Sequence, residues 1–87
     1  MKAVITVLGK DMVGILARVS ATCAEENANI IEVTQQVMDE YFAMIMLVDI
    51  QNLKGTLDDL HKKLEENVSD MQIHVMHEDI FNQMHTI

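Results

Sequence analysis

The chain has no proline, no tryptophan and a single cysteine among its 87 residues. One cysteine, Cys23, cannot form an internal disulfide bond, so the sequence excludes a disulfide-stapled scaffold and favours a reducing compartment, the cytoplasm. Basic residues are also scarce, since 6 lysines and arginines stand against 14 aspartates and glutamates, giving a formal net charge of −8. A surface of that sign repels phosphate backbones and anionic lipids, so we expect no nucleic-acid partner and no membrane partner.

Long apolar runs are missing as well. The longest, YFAMIMLV at 41–48, is far too short to span a bilayer. The apolar run near the N-terminus is too short for a secretory signal, and acidic residues follow it closely. A chain of this size hides only roughly 60–65% of the surface that its unfolded form exposes. We therefore expect one globular domain whose modest core would gain from self-association.

Hydrophobic periodicity predicts the first half of the fold. Residues 3–8, AVITVL, are β-branched and apolar on both faces, which is typical of a strand in the middle of a sheet. A helix should follow, with Asp11 as its N-cap and Asn27 as a left-handed C-cap. Residues 29–38 and 41–50 predict two further strands, joined as a hairpin by Asp39 and Glu40. The apolar stripe predicted for the helix comprises Ile15, Leu16, Val19, Cys23 and Ala24.

The second half completes a split βαβ arrangement. Thr56 is a good N-cap for a second helix, with Asp59 completing a capping box. Residues 71–77 alternate as a last strand, and residues 79–87 predict a short terminal helix with Ile80, Met84 and Ile87 on one side. The order predicts an α+β fold, a ferredoxin-like βαββαβ sandwich with a four-stranded antiparallel sheet and two helices on one face. The other face would be bare and partly apolar, which predicts a partner, most simply a second copy.

The stretch VLGKDMVGIL at 7–16 places two glycines and an aspartate where the first strand gives way to the first helix. A helix N-terminus carries unpaired N–H groups and about half a positive charge, which suits a carboxylate. Gly9 and Gly14 would let that carboxylate approach the backbone, and Asp11 could hold an ammonium group. An ordinary turn is the alternative, with Gly9 ending the strand and Asp11 committed as the helix cap.

The pattern G-x-D-x-x-G-I/L from Gly9 to Leu16, followed by Asn29 and Ile30 at the start of the second strand, resembles the opening half of an ACT domain. The element order extends the resemblance over residues 1–78, the core of a single ACT domain at 1–87 with 79–87 as a C-terminal extension. The whole chain resembles the short stand-alone bacterial ACT proteins, relatives of the regulatory ACT proteins tied to glycine cleavage.

The resemblance implies a regulatory module that binds an amino acid at the interface of a dimer. It assigns one group of ligand-binding residues to one subunit, and these are Gly9, Asp11, Met12, Gly14, Ile15 and Leu16. It assigns a second group to the neighbour, and these are Asn29, Ile30 and Ile31, with Asn29 hydrogen-bonded to the ligand. Most ACT domains control an attached enzyme or DNA-binding module, and this chain carries neither, so its regulated target is open.

Histidines and methionines gather near the C-terminus, and we considered a metal site there. The spacing argues against it, because His74 and His77 point to opposite faces of a strand and His85 lies beyond a predicted helix. Cys23 falls on an apolar helix stripe, where a thiol is inert. The sequence shows no nucleophile elbow, P-loop or Rossmann pattern, and its acidic pairs are typical of solvated surface. We expect no metal, no cofactor and no enzyme activity.

Two functions follow for the structure to separate. The first is a cytoplasmic regulatory protein that binds a free amino acid or similar small ligand as a homodimer, or as a higher oligomer, and acts on an unidentified protein. The second is a dimeric interaction module that binds no small ligand and docks on another protein. Ile80 and its neighbours in the terminal segment could cover the domain's own core or reach the partner subunit, and we favour the partner.

Overall fold

The computed structural model describes residues 1–10 and 14–84, and its strands form one antiparallel sheet in the order β2-β3-β1-β4. The elements are β1 (Lys2–Gly9), α1 (Ile15–Glu25), β2 (Asn29–Met38), β3 (Tyr41–Asp49), α2 (Leu57–Asn67), β4 (Gln72–His77) and α3 (Glu78–Met84). The βαββαβ order of the first six confirms the predicted ferredoxin-like fold. The central strands are β1 and β3, and the two edges are β2 and β4.

The core lies between the sheet and the helices α1 and α2. Alternate residues of β3 are buried, and β1 contributes its own alternate set opposite them. The residues are Phe42, Met44, Met46 and Val48 from β3, and Ala3, Ile5 and Val7 from β1. Two of the methionines, Met44 and Met46, are fully buried, so part of the high methionine content fills the core.

Helix α1 begins later than predicted. Its N-cap is Gly14, in a left-handed conformation with φ 74°, so the prediction that Asp11 caps this helix is wrong. A glycine adopts that conformation without a steric penalty and has no side chain with which to cap the first turn. The buried stripe also differs, because Leu16 is exposed and Thr22 is buried in the core.

Ala24, also predicted for the buried stripe, is exposed. The polar Thr22 is accommodated because its hydroxyl donates to the Arg18 carbonyl at 2.9 Å and accepts from the Asn67 side chain at 3.0 Å. That second bond joins α1 to α2. A buried hydroxyl with both roles satisfied carries no desolvation penalty.

The end of α1 follows the prediction. Asn27 adopts a left-handed conformation with φ 60° directly after the C-cap. The amide of Ala28 donates to the Cys23 carbonyl at 2.8 Å, and the amide of Asn27 donates to the Ala24 carbonyl at 3.2 Å. This pair of bonds is a Schellman motif, which satisfies carbonyls that the helix end would leave without partners.

Helix α2 starts with the predicted capping box. The Thr56 hydroxyl accepts from the Asp59 amide at 3.1 Å, and the Asp59 carboxylate accepts from the Thr56 amide at 3.0 Å. These hydrogen bonds to the carboxylate lower the pKa of Asp59 below its ordinary value of 3.8. Leu60 and Leu64 are buried beneath the helix, Val68 at its C-cap is buried too, and Leu57 is half-buried.

Strand β2 contains a β-bulge that the sequence did not predict. Ile30 pairs with Val48 and Glu32 pairs with Leu47, so Ile31 is an extra residue. The bulge changes which later residues face the helices, because side chains alternate along a strand. Ile30 and Val33 both pack against the core as a result, and the polar residues Glu32, Thr34 and Gln36 take the opposite face.

The second face of the sheet is less bare than predicted. Helix α3 follows β4 directly, and its Phe81 borders a hollow of about 200 Å³ with Val4 and Leu47. Val4 on this face is only 3% exposed, whereas Leu8 and Ile45 are 44% and 40% exposed. The terminal helix therefore covers one end of this face from within the chain, and the other end is open.

Candidate functional site

The two glycines of the opening motif have different structural roles. A β-carbon on Gly9 would lie 2.8 Å from Met71 Cε and closer still to Met71 Sδ, so the glycine leaves space that a methionine side chain fills. Among the described residues, a β-carbon on Gly14 would meet no atom within 4 Å beyond its chain neighbours, so its positive φ is the reason for a glycine there. The space expected for a carboxylate above Gly9 is thus held by Met71.

A cleft of about 740 Å³ opens where four segments meet at one end of the sheet. They are the end of β1, the first turns of α1, the start of β3 and the turn between α2 and β4. The cleft is bordered by Leu8, Gly9, Lys10, Ile15, Arg18, Tyr41, Ser69, Asp70, Met71 and Gln72. Its size lies within the range of about 300–1,000 Å³ that is usual for small-molecule sites.

The walls of this cleft carry charges of both signs. Lys10 and Arg18 are its cations, and Lys10 Nζ lies 5.7 Å from the centre of the Tyr41 ring, within reach of a cation–π contact. Asp70 stands in the α2–β4 turn with φ 64°, a left-handed conformation that aspartate tolerates better than most residues. The apolar side chains of Ile15 and Met71 lie between the charged groups on the lining.

The first group of predicted site residues meets this cleft in part. Gly9 and Ile15 border it, and Gly14 caps the helix beside it. Leu16 is 40% exposed and does not line the cleft. The predictions for Asp11 and Met12 lie outside the described residues.

The second group, Asn29 to Ile31, lies at the opposite end of the same sheet. Gly9 pairs with Phe42 and Asn29 pairs with Asp49, so seven residues of β3 separate the two positions. At about 3.3 Å per residue this is about 23 Å. A single chain therefore does not bring the two groups together. Asn29 is exposed, Ile31 is exposed in the bulge, and Ile30 is half-buried against the core.

Sequence reasoning missed the polar residues of the cleft. Arg18 stands one turn into α1, where its amide donates to the Gly14 carbonyl at 3.0 Å. Asp70 and Met71 follow α2, some 60 residues from Gly9 in the sequence, and only the pairing of β4 with β1 brings them close. An aspartate after a predicted helix indicates a turn. Nothing local in the sequence indicates that the turn borders the glycine motif.

Cys23 has the environment that was expected for an inert thiol. It is fully buried, and burial raises the pKa of its thiol to about 11. His74 pairs with Thr6 and His77 with Ala3, so the two imidazoles belong to opposite faces of the sheet, as predicted. Within residues 1–10 and 14–84, no three His, Cys, Asp or Glu side chains are placed to hold a metal ion. Over the same ranges, none of the helices has the length and apolar character needed to cross a membrane.

Comparison with known proteins gives a consistent result. The family model for the ACT domain matches residues 2–78. A UPF0237 protein of Methanocaldococcus jannaschii is 48% identical over 88 residues, covering 99% of this chain and 98% of that protein. An ACT domain protein from Streptococcus pneumoniae superposes with a TM-score of 0.77 at 37% identity, covering 93% of each chain.

The same fold also occurs within a larger enzyme. A formyltetrahydrofolate deformylase from Pseudomonas syringae superposes with a TM-score of 0.69 at 26% identity, covering 86% of this chain and 28% of that one. The chain is a ferredoxin-like domain with a cleft beside its first helix. The chain belongs to the ACT domain family, whose members typically regulate by binding small ligands and commonly dimerise.

Proposed function

We propose that the chain is a cytoplasmic, non-catalytic regulatory protein that binds a free amino acid or similar small ligand as a homodimer. The observation that carries the proposal is the separation of the two predicted groups of site residues. They lie about 23 Å apart along the sheet of one chain, and a second copy of the chain offers a way to unite them. The single reduced cysteine, Cys23, supports the cytoplasmic location.

The first turn of α1 supplies the chemistry for an anion. The amides of Ile15, Leu16 and Ala17 have no partner within the helix, because the first turn lies before any i−4 carbonyl. Gly14 has no side chain to cap them, and no acidic residue stands in the first turn. The helix dipole adds about half a positive charge at this end. A ligand carboxylate is suited to this position.

Strand β2 supplies the surface for dimerisation. It is an edge strand of ten residues with one charged side chain, Glu32, and its free edge can pair with another strand. Val37 is 55% exposed and Met38 is 60% exposed, so apolar surface surrounds the edge. Antiparallel pairing of β2 with its copy is isologous and closes on two chains.

That pairing would also complete the site. Two antiparallel β2 strands set the Asn29 end of one chain beside the Met38 end of the other, which is the end of the sheet that carries Gly9. The lateral distance from β1 across β3 and β2 to the partner strand is three strand spacings, about 14 Å. We place the ligand in that gap, between the Gly9 end of one chain and the Asn29 end of the second copy.

Analytical ultracentrifugation of the wild type and two variants tests the interface. We expect Val37→Lys to shift the chain toward monomer, because it places a charge at the proposed edge contact. Ile45→Lys is the matched control: Ile45 is also exposed, at 40%, but lies on the open face. Dissociation by Ile45→Lys alone would move the interface to that face. A wild-type chain that stays monomeric at high concentration would refute the proposal.

A thermal-shift screen with free amino acids tests the ligand. We expect at least one to raise the melting temperature by several degrees, since a ligand that binds only the native dimer adds about 2.7 kcal/mol at a hundredfold excess over Kd. The shift should be lost in Asn29→Ala and kept in Asn52→Ala, a change to an exposed asparagine in the β3–α2 turn. A shift unchanged in Asn29→Ala would contradict the proposed site.

A second function has two observations in its favour. Met71 already fills the space above Gly9, and Ile45 and Leu8 leave apolar surface on the open face. A dimeric module that binds no small ligand and docks on another protein would have both features. The screen separates the two, because this alternative expects no shift with any amino acid while the sedimentation result for the dimer stays the same.

A further inference from the structure

The cleft bordered by Gly9, Arg18 and Asp70 is lined by charged residues that are not part of the opening glycine motif. Its two cations lie on β1 and α1, and its carboxylate lies on the α2–β4 turn. A free amino acid has the matching pair of charges, an α-carboxylate and an α-ammonium group. We propose that Asp70 and Arg18 of one chain hold those two groups, and that the cleft selects amino acids with apolar side chains.

This inference rests on the proposed function and adds to it two polar contacts, which come from a single chain. Asp70 would accept hydrogen bonds from the α-ammonium group, in place of the Asp11 contact that the sequence suggested. Arg18 would add its guanidinium, whose planar fork matches a carboxylate, to the first-turn amides of α1 that are proposed to hold the α-carboxylate. Lys10 is the less suitable of the two cations for this role, because its ammonium group already faces the Tyr41 ring at 5.7 Å.

The choice of an apolar ligand follows from what lies between the charges. Ile15 is 3% exposed, Leu8 is 44% exposed, and both border the cleft together with the half-buried Met71. The Met71 thioether rests in the space left by Gly9, so this part of the cleft presents an apolar surface to a ligand. Methionine side chains adapt their shape at little cost, so Met71 can withdraw when a ligand's side chain enters.

The backbone conformation of Asp70 allows its charge to be removed without changing the turn. Asparagine accepts a left-handed conformation as readily as aspartate does, so Asp70→Asn removes the charge and keeps the turn at φ 64°. Asp39→Asn is a matched control, since Asp39 is also an exposed aspartate with positive φ, 56°, in the β2–β3 turn, and it does not border the cleft.

The experiment is isothermal titration calorimetry of the full chain with a panel of the twenty free amino acids and, for any that bind, their N-acetyl and carboxamide forms. We expect an apolar amino acid to bind the wild type. Asp70→Asn should weaken that binding roughly tenfold or more, the usual size of a charge-assisted hydrogen bond. Asp39→Asn should leave it unchanged within a factor of two.

The analogues identify which group each residue holds. The wild type should discriminate against the N-acetyl form, and Asp70→Asn should lose that discrimination. Arg18→Gln should in the same way lose discrimination against the carboxamide. If a free amino acid binds the wild type but Asp70→Asn binds it equally well, this inference is overturned and the proposed function stands. If the bound amino acid has a charged side chain, the selectivity for apolar ligands is wrong. If no amino acid binds wild type or Met71→Ala, both proposals fail.

Discussion

At the scale of single residues, a motif can require glycine for three reasons: space for a neighbouring side chain, a positive φ, or close approach of a ligand. The sequence does not distinguish these reasons. The Met71 side chain occupies the position that a β-carbon on Gly9 would take, whereas Gly14 is needed for its φ of 74°. The two positions look equivalent in the motif. They differ because one borders β4 across the sheet and the other stands free at the start of α1.

We predict that both corresponding alanine variants are less stable than the wild type but respond differently to a second substitution, Met71→Ala. Gly9→Ala should lower the free energy of unfolding by roughly 1–3 kcal/mol, since its methyl group overlaps the Met71 side chain. Combining it with Met71→Ala should recover much of that loss. Gly14→Ala should also destabilise, by backbone strain of about 1–3 kcal/mol, but Met71→Ala should give no recovery. Urea denaturation of the single and double variants measures both couplings. Additive losses in the Gly9 pair would refute the contact.

The thiol of Cys23 allows a second prediction at this scale. Burial raises its pKa from 9.0 to about 11, so the folded chain retains the thiol proton to a higher pH than the unfolded chain does. The unfolded state therefore gains by ionising first, and the free energy of unfolding should fall as the pH rises from 9 to 11. Denaturant titrations should show this decline in the wild type and a smaller one in Cys23→Ala. Equal declines would show that other groups cause it.

At the scale of elements, helix ends were predictable where the capping residues are local in sequence. Thr56 with Asp59 and the left-handed Asn27 formed as expected, because each depends on residues within one turn. The start of α1 was not, since the sequence placed the cap at Asp11 and the observed cap is Gly14, in a left-handed conformation. The bulge at Ile31 was likewise hidden, since it is defined by pairing with β3.

The capping box at the start of α2 has a predictable pH dependence. Hydrogen bonds from Thr56 lower the pKa of Asp59, so its contribution to stability is present above pH 3.8 and is lost as the pH falls through the folded-state value. Thr56→Ala should lower the free energy of unfolding by roughly 0.5–2 kcal/mol at pH 7. The difference from wild type should shrink in acid. Asp58→Asn, a change to the neighbouring exposed carboxylate outside the box, should show no such pattern.

At the scale of the whole molecule, the fold was accessible from the sequence and the site only in part. Strand and helix periods, hairpin length and the opening motif all indicated the same ferredoxin-like plan. The cleft joins residues from β1, α1 and the α2–β4 turn, and Arg18, Asp70 and Met71 meet there through long-range pairing. No local sequence pattern indicates that residues so far apart in the chain meet at one cleft.

The proposed dimer leads to a prediction about concentration. If the site needs residues from two chains, ligand affinity and dimer affinity are thermodynamically linked. The apparent Kd for the bound amino acid should improve as the protein concentration rises through the dimer dissociation constant, and Val37→Lys should bind more weakly than wild type at equal concentration. Titrations at three protein concentrations measure this. An affinity independent of concentration would show that one chain suffices.

The two edge strands of the sheet, β2 and β4, are not equivalent. On β4, the imidazole of His61 reaches down from α2 and donates from Nε2 to the Ile73 carbonyl at 2.8 Å, so one backbone acceptor of this six-residue strand already has a partner in its own chain. The longer strand β2 forms the other edge of the sheet. In the proposed dimer, strand addition would be favoured on β2 and hindered on β4, so the assembly would stop at pairs and not continue into extended sheets.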